Sequence, residues 1–504
     1  MRHRALCTAF ALLVGLTAQL AAAAPAADTI PERPEKLQFP PLEFEVPDAD
    51  ALRFELDSGI PVYALEDHQF PLVNLTLYFR GGVYMTPEGK EGLTGVCGEV
   101  WRTGGAGERT AQELDEELDF LAANLSTNLG EVSGSVTLNL LAKDLEKGLA
   151  ILMDVLTEPR FQDDRFAKAV DDAVQDMKRR NDDTAWIEAR VWERLLYGDD
   201  HWKNALATKA SVESLGRDDC RGFIDRLVRS GNIIIAASGD FENARLEQLL
   251  EKTVGSLPPL EAPIPPIPPP GESAAPGVYV VHKEDVNQGR VSIGHLGYQL
   301  GHPAELALRA VNHALGGSGF TSRITKRVRS DEGLAYSAYS IISFPTTYPG
   351  QFRAAYQSKS STVPFAAEIV FDLIRQIRGD AADGAEKTLT DEELTTAKSS
   401  FIETFPRRFE SPAQTVATFA LDELLDRPEG YWTTYRDRVR ALTLDDLTGA
   451  AKEYILPSEA IMLVVGNIDE IREGHPDHDA KLSDFGEIHR VPLRDPLTLE
   501  PLPE

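Results

Sequence analysis

Apolar residues in the first half of the chain follow strand-like and helix-like periods in turn. In PLVNLTLYFRGG (71–82), apolar and polar side chains alternate, which is typical of a strand with one buried face. Two short apolar runs flank Asp57-Ser58-Gly59 and predict a hairpin over 54–67. The same reasoning predicts strands at 133–141 and 232–241, and helices at 91–103, 110–123, 144–159 and 163–182.

The second half repeats this order of elements. Its pattern predicts strands within 277–300, helices at 303–315 and 321–331, a strand at 335–344, helices at 363–378 and 390–405, and a buried strand at 459–468. The last strand, EAIMLVVGNI, is similar to NIIIAASGDF, which closes the first half. A long period with one order of elements indicates duplication rather than a solenoid. We therefore predict an α+β fold of two duplicated halves.

A Pro-rich segment divides the two halves. Residues 257–277 favour stiff polyproline II conformation and form no core of their own. We therefore predict an N-terminal half at 51–256, a linker at 257–277 and a C-terminal half at 278–472. An extended lead-in at 27–50 precedes them, and a polar tail at 473–504 follows.

The N-terminus has the features of a secretory signal peptide. A basic start at Arg2 and Arg4 precedes an apolar, Ala-rich run, and small residues near Ala24 and Ala26 suit cleavage. We predict a signal peptide at 1–26 and an exported, periplasmic protein. The alternative is an N-terminal membrane anchor, although the run is short and weakly apolar for a stable span. The later segments are too polar to cross a bilayer.

Charge and cysteine content narrow the functional classes. The formal net charge is −29, and so acidic a chain repels the phosphate backbone of nucleic acids. Cys97 and Cys220 remain after signal cleavage. Export permits a disulfide between them, but two distant cysteines make no framework. We expect two unpaired thiols and leave the disulfide open.

Residues 81–105 and 108–161 resemble the N-terminal half of insulinase/pitrilysin metallopeptidases. In that family the helix after Gly-Leu carries H-x-x-E-H, whose two histidines bind zinc while the glutamate acts as general base. Here those positions are Gly95, Gly98 and Glu99, and the third ligand position is Asp176. The resemblance therefore implies a degenerate site that binds no zinc. A weakly held hard cation on Glu99 and Asp176 is the alternative.

The glycines within the predicted helix have two interpretations. Each costs helix stability, roughly 1 kcal/mol relative to alanine. Either the helix packs closely against another backbone, or the site has simply degenerated. No other cluster supplies metal ligands, since His475 and His478 fit a solvated loop in the tail and the other histidines are scattered. The GGSGF segment (316–320) lacks the phosphate-loop pattern and is interpreted as a turn that passes close to backbone.

LGGSGFTSRITKRVRSDEGLAYSAYS (315–340) resembles the family's C-terminal signature. There an arginine and a tyrosine seven residues later reach toward the zinc and stabilise the oxyanion formed when peptide is attacked. The matching residues are Arg329 and Tyr336. Without the resemblance, Arg329 would be a cation at a helix C-terminus and Tyr336 an ordinary strand aromatic.

The resemblance covers nearly all of 50–470, with one motif lost and the other kept. It implies a clamshell of two insulinase-like halves that acts as the zinc-less subunit of a heteromeric peptidase. Arg329 and Tyr336 would act on peptide at the zinc of a partner that carries H-x-x-E-H. The alternatives are a peptide-binding or chaperone-like pseudopeptidase, a structural scaffold, and a peptidase that acts alone.

Overall fold

The computed structural model describes Arg33, residues 43–380 and residues 388–503. The predicted signal peptide at 1–26 and most of the predicted lead-in lie outside these residues. Within the described part, no helix is both long and apolar enough to cross a membrane. Residues Val46–Glu504 form one compact unit.

The first half folds into one sheet with helices beside it. Its strands are β1 (Arg53–Glu55), β2 (Pro61–Glu66), β3 (Leu72–Arg80), β4 (Asn124–Leu129), β5 (Ser133–Leu141) and β6 (Ile233–Gly239). Its helices are α1 (Leu93–Thr103), α2 (Ala111–Phe120), α3 (Leu145–Thr157), α4 (Asp163–Lys178), α5 (Thr184–Tyr197), α6 (Lys209–Glu213), α7 (Arg217–Leu227) and α8 (Asn243–Lys252). Local chemistry fixes some of these ends, as where Thr110 and Glu113 form a capping box on α2.

The second half also contains six strands, with seven α-helices and two π-helical segments among the described residues. Its strands are β7 (Gly277–His282), β8 (Gln288–Leu296), β9 (Ala335–Ile342), β10 (Gln351–Lys359), β11 (Ile461–Gly466) and β12 (Ile488–Arg490). Its α-helices are α9 (Glu305–Asn312), α10 (Val363–Arg378), α11 (Asp391–Thr404), α12 (Pro412–Leu424), α13 (Tyr431–Ala441), α14 (Leu444–Tyr454) and α15 (Ile468–Glu473). Two π-helical segments, His313–Gly317 and Thr325–Asp331, lie between α9 and β9.

The two sheets share one topology over five of their six strands and differ at one edge, where β1 pairs antiparallel with β2 but β12 pairs parallel with β7. The first has the order β1-β2-β6-β3-β5-β4 and the second the order β12-β7-β11-β8-β10-β9. In each sheet, the strand that closes the half lies between two strands from the start of that half. It runs parallel to one of them, as β6 does to β2 and β11 to β7. It runs antiparallel to the other, as β6 does to β3 and β11 to β8. The predicted fold class, α+β with two duplicated halves, is confirmed.

Each half lends one helix to the other half's sheet. Helix α5 packs on β8 and β11, whereas α12 packs on β2, β3 and β6. Alternate residues of β7 and β11 therefore contact different cores, with Tyr279 and Leu463 against α5 and Val280 and Val464 against the second half's own helices. Because both faces of the sheet are covered, every residue of β6 and β11 is buried.

The segments predicted as linker and tail both pack on the compact unit. In the linker, Gly271 and Ala274 donate backbone hydrogen bonds to α5, and Ile264 contacts the first core. In the tail, β12 joins the second sheet, and the backbone N–H of Lys209 then donates to the carbonyl of Leu497. The domain boundaries themselves stay a prediction.

Cys97 and Cys220 form a disulfide, so the expectation of two unpaired thiols is wrong. Cys97 lies on the buried face of α1 and Cys220 on that of α7, and neither side chain is exposed. Sequence spacing could not reveal the pairing because the two helices are 123 residues apart in the chain. The disulfide ties α1 to α7 on the face opposite the degenerate zinc positions.

Candidate functional site

A β-bulge places Tyr336 at the free edge of the second sheet. Strand β9 pairs antiparallel with β10, with Ser337 opposite Gln357 but Ala335 opposite Ser358. Tyr336 is therefore an extra residue on β9 with no pairing partner. Bulges of this kind redirect a side chain and are frequent beside functional sites. The matching pair in the first sheet, β4 with β5, runs in continuous register.

The bulge turns the tyrosine from the core to solvent. Further along β9, Ala338, Ser340 and Ile342 are buried on one face. Strict alternation would place Tyr336 on that face too. Instead its side chain is 85% exposed. A large aromatic ring this exposed adds little to folding, which argues against the interpretation of Tyr336 as an ordinary strand aromatic.

Arg329 lies within cation–π distance of two aromatic rings at the same edge. Its guanidinium carbon is 4.6 Å from the centre of the Phe320 ring and 4.7 Å from that of Tyr336. Gly333, whose φ is +65°, allows the tight reversal from the π-helical segment into β9 that brings Arg329 back to Tyr336. The predicted pair is therefore assembled.

This arrangement leaves the hydrogen-bonding edge of Arg329 available. Two rings within cation–π range hold the guanidinium, whose five N–H donors lie in the plane of the group. Among the described residues, no carboxylate pairs with Arg329 and no group hydrogen-bonds the Tyr336 hydroxyl. The site therefore offers a planar donor fork and a phenol, both suited to a carbonyl oxygen or an oxyanion.

Phe320 is part of the site and was not predicted. The π-helical segment before it passes so close to β9 that a Cβ at Gly316 would lie 2.1 Å from the backbone nitrogen of Ser340. This confirms the predicted close approach. The loop then presents Phe320, which is 68% exposed. An aromatic residue directly after GGSG was the available signal, because a Gly/Ser loop offers it no core.

The degenerate zinc positions lie on two packed helices of the first half. Gly95, Gly98 and Glu99 are on the partly exposed side of α1, and Asp176 is near the end of α4, which contacts α1. The structure thus brings together the two elements named by the resemblance. No hydrogen bond or ion pair joins these residues to Arg329 or Tyr336 within the described part of the chain.

Close packing does not explain the two glycines. A Cβ at Gly95 would meet no atom within 4 Å. At Gly98 it would meet only the side chain of Leu129, at an ordinary 3.7 Å. The interpretation of a helix pressed against backbone is therefore wrong, and degeneration of the site remains.

The remaining residues do not fit a zinc ion. The glycines supply no ligand, and the Asp176 carboxylate accepts a hydrogen bond from Arg179. Lys168 pairs with Asp172 on α4, which raises the pKa of this lysine, and the nearby Glu99 carboxylate raises it further. Zinc sites need three or four His, Cys, Asp or Glu ligands. Within the described residues, no three such side chains converge where they could hold a metal.

His475 and His478 do not form a metal site either. Their rings are 5.1 Å apart, and His478 stacks on Phe365 with 3.6 Å between ring centres. His478 thus packs against α10, whereas a solvated loop was expected.

Comparison with known proteins fits this geometry. The family model described as "Peptidase M16 inactive domain" matches residues 214–401. The chain is therefore similar to M16 peptidases, and residues 214–401 match their inactive domain. This confirms the resemblance to insulinase/pitrilysin peptidases. The matched M16 segment contains Arg329 and Tyr336 but not Gly95, Gly98 or Glu99.

Curated relatives align over most of the chain at low identity. The non-peptidase homologue YmxG of Helicobacter pylori is 22% identical over 81% of this chain and 92% of its own length. The uncharacterized zinc protease YmxG of Bacillus subtilis is 22% identical over 71% of this chain and 85% of its own. Relatives with both kinds of name therefore align with most of this chain.

Solved M16 structures share the fold. A peptidase M16 inactive domain from Pseudomonas fluorescens superposes with a TM-score of 0.72 at 19% identity, covering 82% of this chain and 97% of that one. The periplasmic protease PqqL from Escherichia coli gives 0.71 at 16% identity, covering 90% of this chain and 50% of that one. This chain therefore spans half the length of PqqL.

Proposed function

We propose that the chain is the non-zinc-binding subunit of a heteromeric M16 peptidase that cleaves peptides outside the cytoplasm. Arg329 and Tyr336 would stabilise the oxyanion at a zinc held by a second, H-x-x-E-H-bearing subunit. The observation that carries the proposal is the β-bulge that presents Tyr336 to solvent beside Arg329. A fold that needed only packing would have buried this ring.

The chemistry of the two side chains supports this role. A peptide carbonyl gains negative charge as hydroxide attacks it, so donors fixed in advance stabilise the transition state more than the ground state. Arg329 is held by Phe320 and Tyr336 and needs little reorganisation to donate. Each donor of this type is worth about 3–4 kcal/mol of transition-state stabilisation.

Two observations support the proposed location. The predicted signal peptide at 1–26 would direct export. The Cys97–Cys220 disulfide suits an oxidising compartment such as the periplasm, because disulfides are rare in the reducing cytosol.

A peptide-binding pseudopeptidase is the second candidate. It is favoured by the open space beside Gly95, where a Cβ would meet no atom within 4 Å, and by the name of the Helicobacter pylori relative, a non-peptidase homologue. In this case Arg329 and Tyr336 would hold a peptide carboxylate or carbonyl without any hydrolysis. The two candidates differ in whether a zinc-bearing partner exists.

The test is co-purification with an M16 protein from the same organism that carries H-x-x-E-H, encoded in a neighbouring gene where one exists. Steady-state kinetics on a fluorogenic peptide then compare wild type with Tyr336→Phe. We expect assembly to be unchanged and kcat to fall on the order of 100-fold, because the hydroxyl acts mainly in the transition state. Arg329→Lys should also fail, since an ammonium lacks the planar fork.

Tyr339→Phe is the matched control, because it removes the same hydroxyl group from a tyrosine on the same strand. Tyr339 is 36% exposed, compared with 85% for Tyr336. The control variant should leave kcat unchanged. A Tyr336→Phe complex that cleaves at the wild-type rate would refute the oxyanion role. Absence of any complex with an H-x-x-E-H subunit would favour the pseudopeptidase.

A further inference from the structure

Four arginines line a small cavity where the C-terminal segment crosses helix α5. They are Arg180, Arg190 and Arg194 from the first half and Arg494 from the C-terminal segment. The cavity has a volume of ≈ 80 Å³. So many cations around one small space are unusual in a chain of net charge −29.

Three of these guanidinium groups have only neutral partners. Arg180 donates to the carbonyl oxygens of Ala207 and Pro496 at 2.7 and 3.1 Å. Arg190 donates to the backbone carbonyl of Arg180 at 2.7 Å and to a side-chain amide oxygen at 3.0 Å. Arg494 donates to the carbonyl of residue 499 at 3.4 Å.

The nearby carboxylates offset only part of this charge. Asp495 also lines the cavity, but it accepts hydrogen bonds from the backbone N–H groups of Leu497 and Thr498 at 2.8 Å. Asp199 forms its ion pair with Arg194, and its charge also opposes the lowering of the Arg494 pKa. In the described part of the chain, Arg180, Arg190 and Arg494 have no ion pair.

One donor in the cluster is buried without a partner. The Nε atom of Arg494 is inaccessible to solvent and makes no hydrogen bond with the described residues. Burial lowers the pKa of Arg180, Arg190 and Arg494, and a neighbouring guanidinium adds to this for Arg180 and Arg494. Like charges withdrawn from water are costly unless an opposite charge joins them.

We propose that this cavity binds a small doubly charged oxyanion of the phosphate or sulfate type. Guanidinium groups match such ions because their N–H donors pair with two oxygens at once. The volume suits one small ion and is too small for a nucleotide or a peptide. The bound ion would hold the C-terminal segment on α5, since its ligands come from both.

The test is isothermal titration of the full exported chain with inorganic phosphate at constant ionic strength and pH 7.5. We expect saturable binding of about one phosphate per chain. Arg190→Gln should weaken it by about tenfold or more, because a charged hydrogen bond is lost. Arg190→Lys should recover only part of the affinity, since the charge is kept but the fork is not.

Arg221→Gln is the matched control, because Arg221 forms an exposed ion pair with Asp218 outside this cavity and should titrate like wild type. Sulfate should compete with phosphate, whereas acetate at the same ionic strength should not. If Arg190→Gln fails to fold, Arg194→Gln tests the same cavity from a more exposed position. Lack of saturable binding by the wild-type chain, or equal weakening by Arg221→Gln, would overturn the proposal.

Discussion

Removing the Cys97–Cys220 disulfide should strongly destabilise the folded chain. The perturbation is the double substitution Cys97→Ala and Cys220→Ala, which fills the same buried positions with slightly smaller apolar residues. Helices α1 and α7 then have only packing to hold them together. Because both sulfur atoms are fully buried, the bond is protected in the folded protein and should persist until unfolding.

The expected magnitude follows from the length of the loop that the disulfide closes. For a sequence separation of 123 residues, the chain-entropy model gives about 5 kcal/mol at 25 °C. Measured losses of native disulfides are typically about 2–5 kcal/mol. Because the unfolding entropy is about 2.1 cal/mol/K per residue, each kcal/mol corresponds to roughly 1 °C in the compact unit Val46–Glu504, and the Tm should fall by roughly 2–5 °C.

Differential scanning calorimetry of the oxidised wild type and the double variant, at one scan rate, measures this difference. A reductant added with denaturant should lower the refolded wild type to the level of the variant, and it should leave the variant unchanged. Thiol titration of the denatured, unreduced exported protein should find no free thiol. Two free thiols, or equal Tm values for wild type and variant, would refute the reasoning.

Two further predictions concern the zinc position and an ion pair between the halves. The purified chain should contain no stoichiometric zinc, which metal analysis checks. The triple variant Gly95→His, Gly98→Glu, Glu99→His should give no strong peptidase activity alone, because the aspartate at the third ligand position is short and already paired with an arginine. Robust cleavage by the variant in a peptide assay would contradict this prediction. The hydrogen bond from Arg53 lowers the pKa of Glu423, so the pair should stabilise the fold above about pH 4.5 and lose this effect as the pH falls through the lowered pKa. The difference in Tm between wild type and Glu423→Gln should therefore be constant at pH 6–8 and shrink below pH 4.5. A difference that does not depend on pH would contradict the assignment.

Elements with a clear period were predictable from the sequence. The alternation in 71–82 gave β3, and the hairpin around Asp57-Ser58-Gly59 gave β1 and β2. The duplication was also visible, because the two closing strands are continuous apolar runs. Their burial on both faces explains why they lack polar alternation.

Tertiary partners were not predictable in the same way. Helix α5 has a helical pattern, but nothing in its sequence says that it packs on the sheet of the other half. Strand β4 was missed because NLSTNL at an exposed edge lacks a run of β-branched residues. The disulfide likewise depends on two helices that meet only in the folded chain.

The candidate site was half predictable. Arg329 and Tyr336 were found through the signature that contains them, and the structure brings them into contact. The bulge that exposes Tyr336 depends on the register of β9 with β10, which no local pattern encodes. Phe320 carried a weak signal, and the arginines around the C-terminal cavity come from distant segments.

The exchange of α5 and α12 between the halves imposes an order on biosynthesis. When the linker leaves the ribosome or the export channel, the first sheet still lacks α12, so the face of β6 that carries Ile234 and Ala236 has no cover. This apolar surface must wait for residues 412–424 while more than a hundred intervening residues are made. A nascent chain that stops at the linker should therefore expose this surface and be prone to aggregate until the second half covers it.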